Sequence, residues 1–171
     1  MTTKIEIIQG DITKQNVGAI VNAANKSLLG GGGVDGAIHR IAGSKLLEEC
    51  KTLNGCETGE SKITNAYNLP SNFVIHTVGP VWYGKKNNKD ELLRDCYLNS
   101  LKLAVENNIQ SIAFPAISTG VYHFPIERAT KIALQTTMEF LKKNKEIEKV
   151  VFVCFSESDL IIYKNIFAKL L

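Results

Sequence analysis

Two stretches of this 171-residue chain combine small residues with groups able to act on an anion. The first reads Asn22-Ala23-Ala24-Asn25-Lys26-Ser27-Leu28-Leu29-Gly30-Gly31-Gly32-Gly33-Val34-Asp35-Gly36. A run of glycines lets backbone N–H groups close around an anion. Helical patterning starts near Val34 and turns its positive end to the same place. The chemistry is phosphate binding. Asp35 falls in the first turn of that helix, where a carboxylate either complements the helix dipole or orients and deprotonates a water. The residues alone leave both readings open.

The second stretch, Pro115-Ala116-Ile117-Ser118-Thr119-Gly120-Val121-Tyr122-His123-Phe124-Pro125, is another small-residue turn that enters a helix. Donors stand at Ser118, Thr119 and the Gly120 backbone. Two such turns on one edge of a sheet would hold two linked phosphates, so a pyrophosphate is the expected ligand. Two other phosphate motifs fit poorly. Gly31–Gly36 matches G-x-G-x-x-G, but about eleven residues separate it from the preceding strand, and the dinucleotide fingerprint follows its strand at once. The Walker pattern fails, since no Gly-Lys-Ser/Thr closes the loop.

The elements that must position these turns are short β-branched runs alternating with segments of helical period. Strands are predicted at Lys4–Ile8, Val17–Val21, Phe73–Val78, Ser111–Phe114 and Val150–Phe155. The last is too apolar for a half-exposed sheet. One helix is expected from Val34 through Ile38, Ile41 and Leu46. A second carries Leu92, Leu93, Cys96, Leu101 and Ala104 at helical spacing. A third follows Pro125, with Ile126, Ala129, Ala133, Phe140 and Leu141 on its buried stripe, and a fourth carries Ile161, Ile162, Ile166 and Leu170. Such alternation predicts a three-layer α/β/α sandwich with a mixed, mostly parallel central sheet. Sheets of this kind bind ligands beyond the carboxyl ends of their strands. The polar insertion Tyr83–Asp90 reads as a solvated loop.

Composition sets the outer bounds. One domain over residues 1–171 is expected from the length, with no repeat or linker suggesting a second. The net charge of +3 suits a small anionic ligand and falls short of a dedicated nucleic-acid surface. Cys50, Cys56, Cys96 and Cys154 form no CxxC pair, which suits reduced thiols. The first residues lack the apolar core of a secretion signal, and no stretch reaches the ~20 apolar residues of a membrane span. A cytoplasmic location is expected.

Taken in order, Gly10-Asp11-Ile12-Thr13, Asn22–Asn25, Gly30–Asp35 with Gly36-Ala37-Ile38-His39, His76-Thr77-Val78-Gly79-Pro80 and Pro115–Pro125 closely resemble the macrodomain family, its MacroD-like branch in particular. The resemblance covers essentially the whole chain. It implies that Asp11 accepts from the adenine amino group of ADP-ribose, with Ile12 adding a backbone N–H. A carboxylate on an exocyclic amine is a charge-assisted hydrogen bond. Phe155, after the last strand, is placed to stack on adenine or simply to pack at a strand end. Gly32, Gly33 and Val34 on one side and Ser118, Thr119, Gly120, Val121 and Tyr122 on the other would contact the phosphates. Asn25 matches the asparagine at the distal ribose and Asp35 the catalytic aspartate. His39 is given no catalytic part and is expected to make a polar contact to Asp35. His123 departs from the pattern, which has glycine there, and its Cβ would narrow the cleft mouth.

The implied activity is metal-independent hydrolysis of an ester on the distal ribose. Its substrates would be O-acetyl-ADP-ribose or proteins mono-ADP-ribosylated on acidic side chains, with no cofactor and no nucleic-acid partner. A zinc-dependent branch of the family carries Cys and His ligands near this loop, and Gly30–Ile38 has none. The alternatives are a non-catalytic ADP-ribose reader and, more distantly, an NAD-dependent oxidoreductase.

Overall fold

A computed structural model describes residues 3–84 and 88–171. Six strands form one sheet: β1 Lys4–Gln9, β2 Ala19–Ala24, β3 Ser61–Asn65, β4 Phe73–Val78, β5 Ser111–Phe114 and β6 Lys149–Cys154. Five α-helices flank it: α1 Gly33–Ala42, α2 Ser44–Thr52, α3 Lys89–Glu106, α4 Ile126–Lys143 and α5 Glu157–Leu170. A short 3-10 turn spans Ile12–Lys14. The strand order is β1-β6-β5-β2-β4-β3. Every pairing is parallel except the antiparallel pair of β3 with β4. The mixed, mostly parallel sheet is as expected.

Alternation along the central strands builds two cores. In β6, Val150, Phe152 and Cys154 join the larger core under α3, α4 and α5, whereas Val151 and Val153 face the smaller one under α1 and α2. Successive strand residues point to opposite faces, so a strand apolar throughout is one covered on both sides. The larger core is bound by aromatic contacts, Tyr97 on Phe114 at 5.0 Å and Phe114 on Phe152 at 5.7 Å between ring centres. These separations lie within the favourable range for aromatic pairs.

Four elements differ from expectation. The first predicted helix is two, because Gly43 at φ 90° ends α1 and begins α2; that left-handed conformation cannot continue a right-handed helix. β2 runs three residues past Val21, so Asn22 belongs to the sheet and the loop begins at Asn25. β3 was not expected: Ser61-Lys62-Ile63-Thr64-Asn65 is polar, and of it only Thr64 is buried. Its stability comes from pairing and from α2 and α3 packing near it, not from its own composition. The expected solvated loop Tyr83–Asp90 includes residues 85–87, outside the described set, and its last two residues already belong to α3. No described helix is long and apolar enough to cross a membrane.

Candidate functional site

The carboxyl ends of β4, β2, β5, β6 and β1 share one edge, and each releases a segment that belongs to the candidate site. Gly79 follows β4, Asn25–Gly32 follows β2, Pro115–Pro125 follows β5, Phe155 follows β6 and Gly10-Asp11 follows β1. Because β2 and β5 are neighbours, the two small-residue turns converge. Between them lies a cleft of about 430 Å3 whose walls include Asn25, Gly31 to Asp35, Gly79, Ser118 and Gly120 to Tyr122.

Both turns leave donors facing outward. In α1 the first intrahelical bond is Gly36 N–H to Gly32 O at 3.2 Å, so the amides of Gly33, Val34 and Asp35 precede it and stay open to an acceptor. Gly33 takes φ 56°, which turns its amide away from the regular path, and no atom lies near where its Cβ would stand. In the second turn His123 N–H bonds Gly120 O at 2.9 Å and Phe124 N–H bonds Ser118 O at 2.9 Å. These bonds close the turn. Among the described residues, the N–H groups of Thr119 to Tyr122 donate no backbone hydrogen bond, whereas the carbonyls of Gly120 and Tyr122 accept from His123 and Trp82. Thr119 Oγ1 donates back to Ala116 O at 3.2 Å, so its hydroxyl shapes the turn and does not line the cleft.

The aspartate and asparagine meet at Gly31. A Cβ built there would lie 3.2 Å from Asp35 Oδ2 and 3.4 Å from Asn25 Nδ2. Asn25 also organises its own loop, donating to Gly30 O at 2.8 Å and accepting from Ser27 Oγ at 2.7 Å and Leu28 N–H at 3.1 Å. Asp35 is buried, 5% exposed, and its other oxygen faces inward. Oδ1 accepts from Asn22 Nδ2 at 2.9 Å and lies 3.4 Å from His39 Nε2. The histidine contact is within ion-pair distance but is not aligned as a hydrogen bond, since Nε2 is buried without a partner. Burial raises the Asp35 pKa, and the Asn22 bond and His39 pull against that rise. A buried carboxylate with a raised pKa beside a cleft is suited to taking a proton from water.

The expected adenine residues stand further along the same edge, outside the cleft wall. Asp11 caps the 3-10 turn: its Oδ1 takes Thr13 N–H at 2.9 Å and Thr13 Oγ1 at 2.6 Å. The Thr13 hydroxyl, with its amide and Lys14, lowers the Asp11 pKa against the effect of burial. Capping and ligand recognition are compatible, because both bonds fall on one oxygen. Ile12 is buried. Phe155 is 88% exposed and so packs against nothing as a strand-end core residue would. It lies beside Asp11, since Gly10 N–H bonds Cys154 O at 3.0 Å. His123 is exposed and adopts φ 59°, the left-handed conformation that favours glycine.

Sequence reasoning quoted Asn22, His76 and Gly79 within motifs without giving them a role, and missed Thr64 altogether. The signal for the first two was a polar residue on the inward face of an otherwise apolar strand. Gly79 has a steric role: a Cβ there would overlap Ser118 Oγ and come within 2.7 Å of Ile117 Cγ2. Gly79→Ala would therefore push the second turn outward and cost about 1–3 kcal/mol of stability. Calorimetric unfolding checks it; a melting temperature equal to the parent's would show that the turn yields freely.

The geometry defines an α/β sandwich with an anion-receptive cleft at the carboxyl edge of its sheet and a buried carboxylate at one end. The family model described as Macro domain matches residues 21–133, and the chain belongs to the macrodomain family. It is 57% identical over 167 residues to ADP-ribose glycohydrolase MACROD2 of Homo sapiens, covering 96% of this chain and 39% of that protein. It is 53% identical over 170 residues to the O-acetyl-ADP-ribose deacetylase of Escherichia fergusonii, covering 97% of this chain and 96% of that one. The solved Oceanobacillus iheyensis macrodomain with ADP superposes with a TM-score of 0.95 at 48% identity, covering 98% of this chain and 92% of that one.

Proposed function

We propose that the chain binds ADP-ribose across the carboxyl edge of its sheet and hydrolyses an ester on the distal ribose. The observation that carries this reading is the pairing of two open amide turns with Asp35 Oδ2, all on one cleft wall. Three strand spacings separate β1 from β2, roughly 14 Å at ~4.8 Å each, a span suited to a nucleotide lying with its base at Asp11 and Phe155. The pyrophosphate then rests on the amides of Gly32, Gly33 and Val34 and on those of Ser118 to Tyr122. Asn25 aligns the distal ribose. Asp35 takes a proton from water as the water adds to the ester. The acyl C–O bond breaks, and Asp35 passes the proton taken from water to the leaving ribose oxygen, which restores its carboxylate. Fixing water and ester together in one cleft lowers the entropic part of the barrier.

The named relatives support a hydrolase acting on ADP-ribose conjugates, one being an O-acetyl-ADP-ribose deacetylase and one an ADP-ribose glycohydrolase. Proteins mono-ADP-ribosylated on Asp or Glu present the same ester, and we take them as the second substrate class. Residues 1–171 act as one domain, in keeping with the single sheet. A cytoplasmic location is in keeping with four free, buried cysteines. Calorimetry with ADP-ribose, followed by an assay for acetate release from O-acetyl-ADP-ribose, tests the reading. Binding with turnover is expected; binding without turnover would leave a reader module.

A further inference from the structure

Behind Asp35, on the sheet face covered by α1 and α2, lies a line of buried polar side chains in an otherwise apolar layer. Asn22 of β2 and His76 of β4 are register partners, and Thr64 of β3 lies diagonally across from His76. All three share the face of Ile20, Val74 and Val78. Asn22 and His76 are fully buried and Thr64 is 2% exposed. Asn22 Nδ2 is 2.9 Å from Asp35 Oδ1 and 3.1 Å from His76 Nδ1. The other ring nitrogen of His76 is 2.9 Å from Thr64 Oγ1 and 3.8 Å from Cys50 Sγ.

An amide nitrogen carries two hydrogens and its oxygen none. Asp35 Oδ1 and His76 Nδ1 together consume both hydrogens, provided that Nδ1 is bare and the ring proton sits on Nε2, directed at Thr64. The opposite amide orientation would set Asn22 Oδ1 against a carboxylate, which only a protonated Asp35 could tolerate. The observed orientation leaves Asn22 Oδ1 buried without a partner. That loss is offset by the charge-assisted bond to Asp35. The ionised Asp35 carboxylate only accepts, so it turns the amide nitrogen toward itself; the second amide hydrogen then requires a bare Nδ1, and the Nε2 proton finds its acceptor in Thr64 Oγ1.

We propose that His76, its Nδ1 bare and its Nε2 proton accepted by Thr64 Oγ1, is a positioning residue that locks the Asn22 amide so that Asp35 offers its Oδ2 to the cleft. The proposal rests on the hydrolytic reading above and deepens it. Burial holds the His76 pKa down at about 3, so the ring stays a neutral acceptor. The titratable groups around Asp35 are His39 on its own helix, His76 on β4 and Cys50 on α2. The Cys50 thiol, its pKa pushed up by burial to about 11, remains neutral. Loosening Asn22 removes a bond that pulls the Asp35 pKa down, which moves the acid limb of activity toward higher pH.

The test pairs Thr64→Val, which keeps volume and removes the hydroxyl, with Thr64→Ser, which keeps the hydroxyl. Thr64→Val is expected to lower kcat on O-acetyl-ADP-ribose roughly tenfold, the worth of one buried hydrogen bond. The ADP-ribose Kd should not change, and the acid limb should move up; Thr64→Ser should retain parental kcat and profile. Nitrogen-15 NMR of the His76 ring in the parent protein should show the proton on Nε2. A ring protonated on Nδ1, or Thr64→Val with parental kcat and pH profile, would overturn the proposal. Absence of any turnover by the parent protein would instead overturn the hydrolytic reading, and the ring assignment would still decide which way Asn22 points.

Discussion

Asp35→Asn is expected to lose about 10²–10⁴-fold in turnover of O-acetyl-ADP-ribose while binding ADP-ribose as the parent does. The asparagine oxygen can still accept from Asn22, so the cleft keeps its shape and loses only its proton acceptor. In the parent, activity requires the ionised carboxylate and falls as pH drops through a pKa that burial holds above the ordinary aspartate value. The same shift has a sign for stability. A carboxyl whose pKa is raised by folding favours the folded state most at pH below its unfolded value, and that contribution is lost as pH rises through the folded value. At neutral pH the ionised Asp35 therefore opposes folding, and Asp35→Asn should melt higher than the parent. Turnover retained in Asp35→Asn would refute the assignment; a melting temperature below the parent's would refute the electrostatic account.

The second large effect is acid sensitivity at His76. The imidazole is wholly buried and its pKa falls from 6.5 to about 3 on folding, because burial, and secondarily His39, disfavours its charge. Its neutral form gives full stability above pH 6.5. Below that value the unfolded chain takes up a proton that the folded chain refuses, down to about pH 3. Stability from this one group then drops by about 1.4 kcal/mol per pH unit. Urea titrations across that window should show a steep slope in the parent and a shallower one in His76→Gln. Equal slopes would place the acid sensitivity elsewhere.

The parts of the site that were legible in the sequence are those whose chemistry is local. A glycine run before a helix points to anion binding from the local sequence, because backbone amides and a helix end need no distant partner. Asp35 stood out by its place in the first turn of the helix, Asn25 gained a role only through the family resemblance, and the strand predicted at Val150–Phe155 showed in its unbroken apolar run, although it ends at Cys154. The inner layer was not readable. Asn22 meets Asp35 across 13 residues and His76 across 54, and neither meeting shows in the local sequence. β3 was hidden for a related reason, since an edge strand of Ser, Lys, Thr and Asn is held by its neighbours and not by composition. The break at Gly43 was masked by apolar residues that keep helical spacing on both sides of it. The contrast between Asp11 and Phe155 is instructive: the first doubles as a turn cap, whereas the second is so exposed that packing gives no reason for its type.

Trp82 is the chain's single tryptophan, and it sits against the turn Pro115–Pro125. Its amide donates to Tyr122 O at 2.9 Å, its ring meets Phe124 at 4.7 Å, and the Arg128 guanidinium lies 5.3 Å above it. Arg128 is itself tied to Asp90 by a two-pronged ion pair. The fold consequently carries its own optical reporter, one indole packed against the turn that follows β5, with no second tryptophan to mask it.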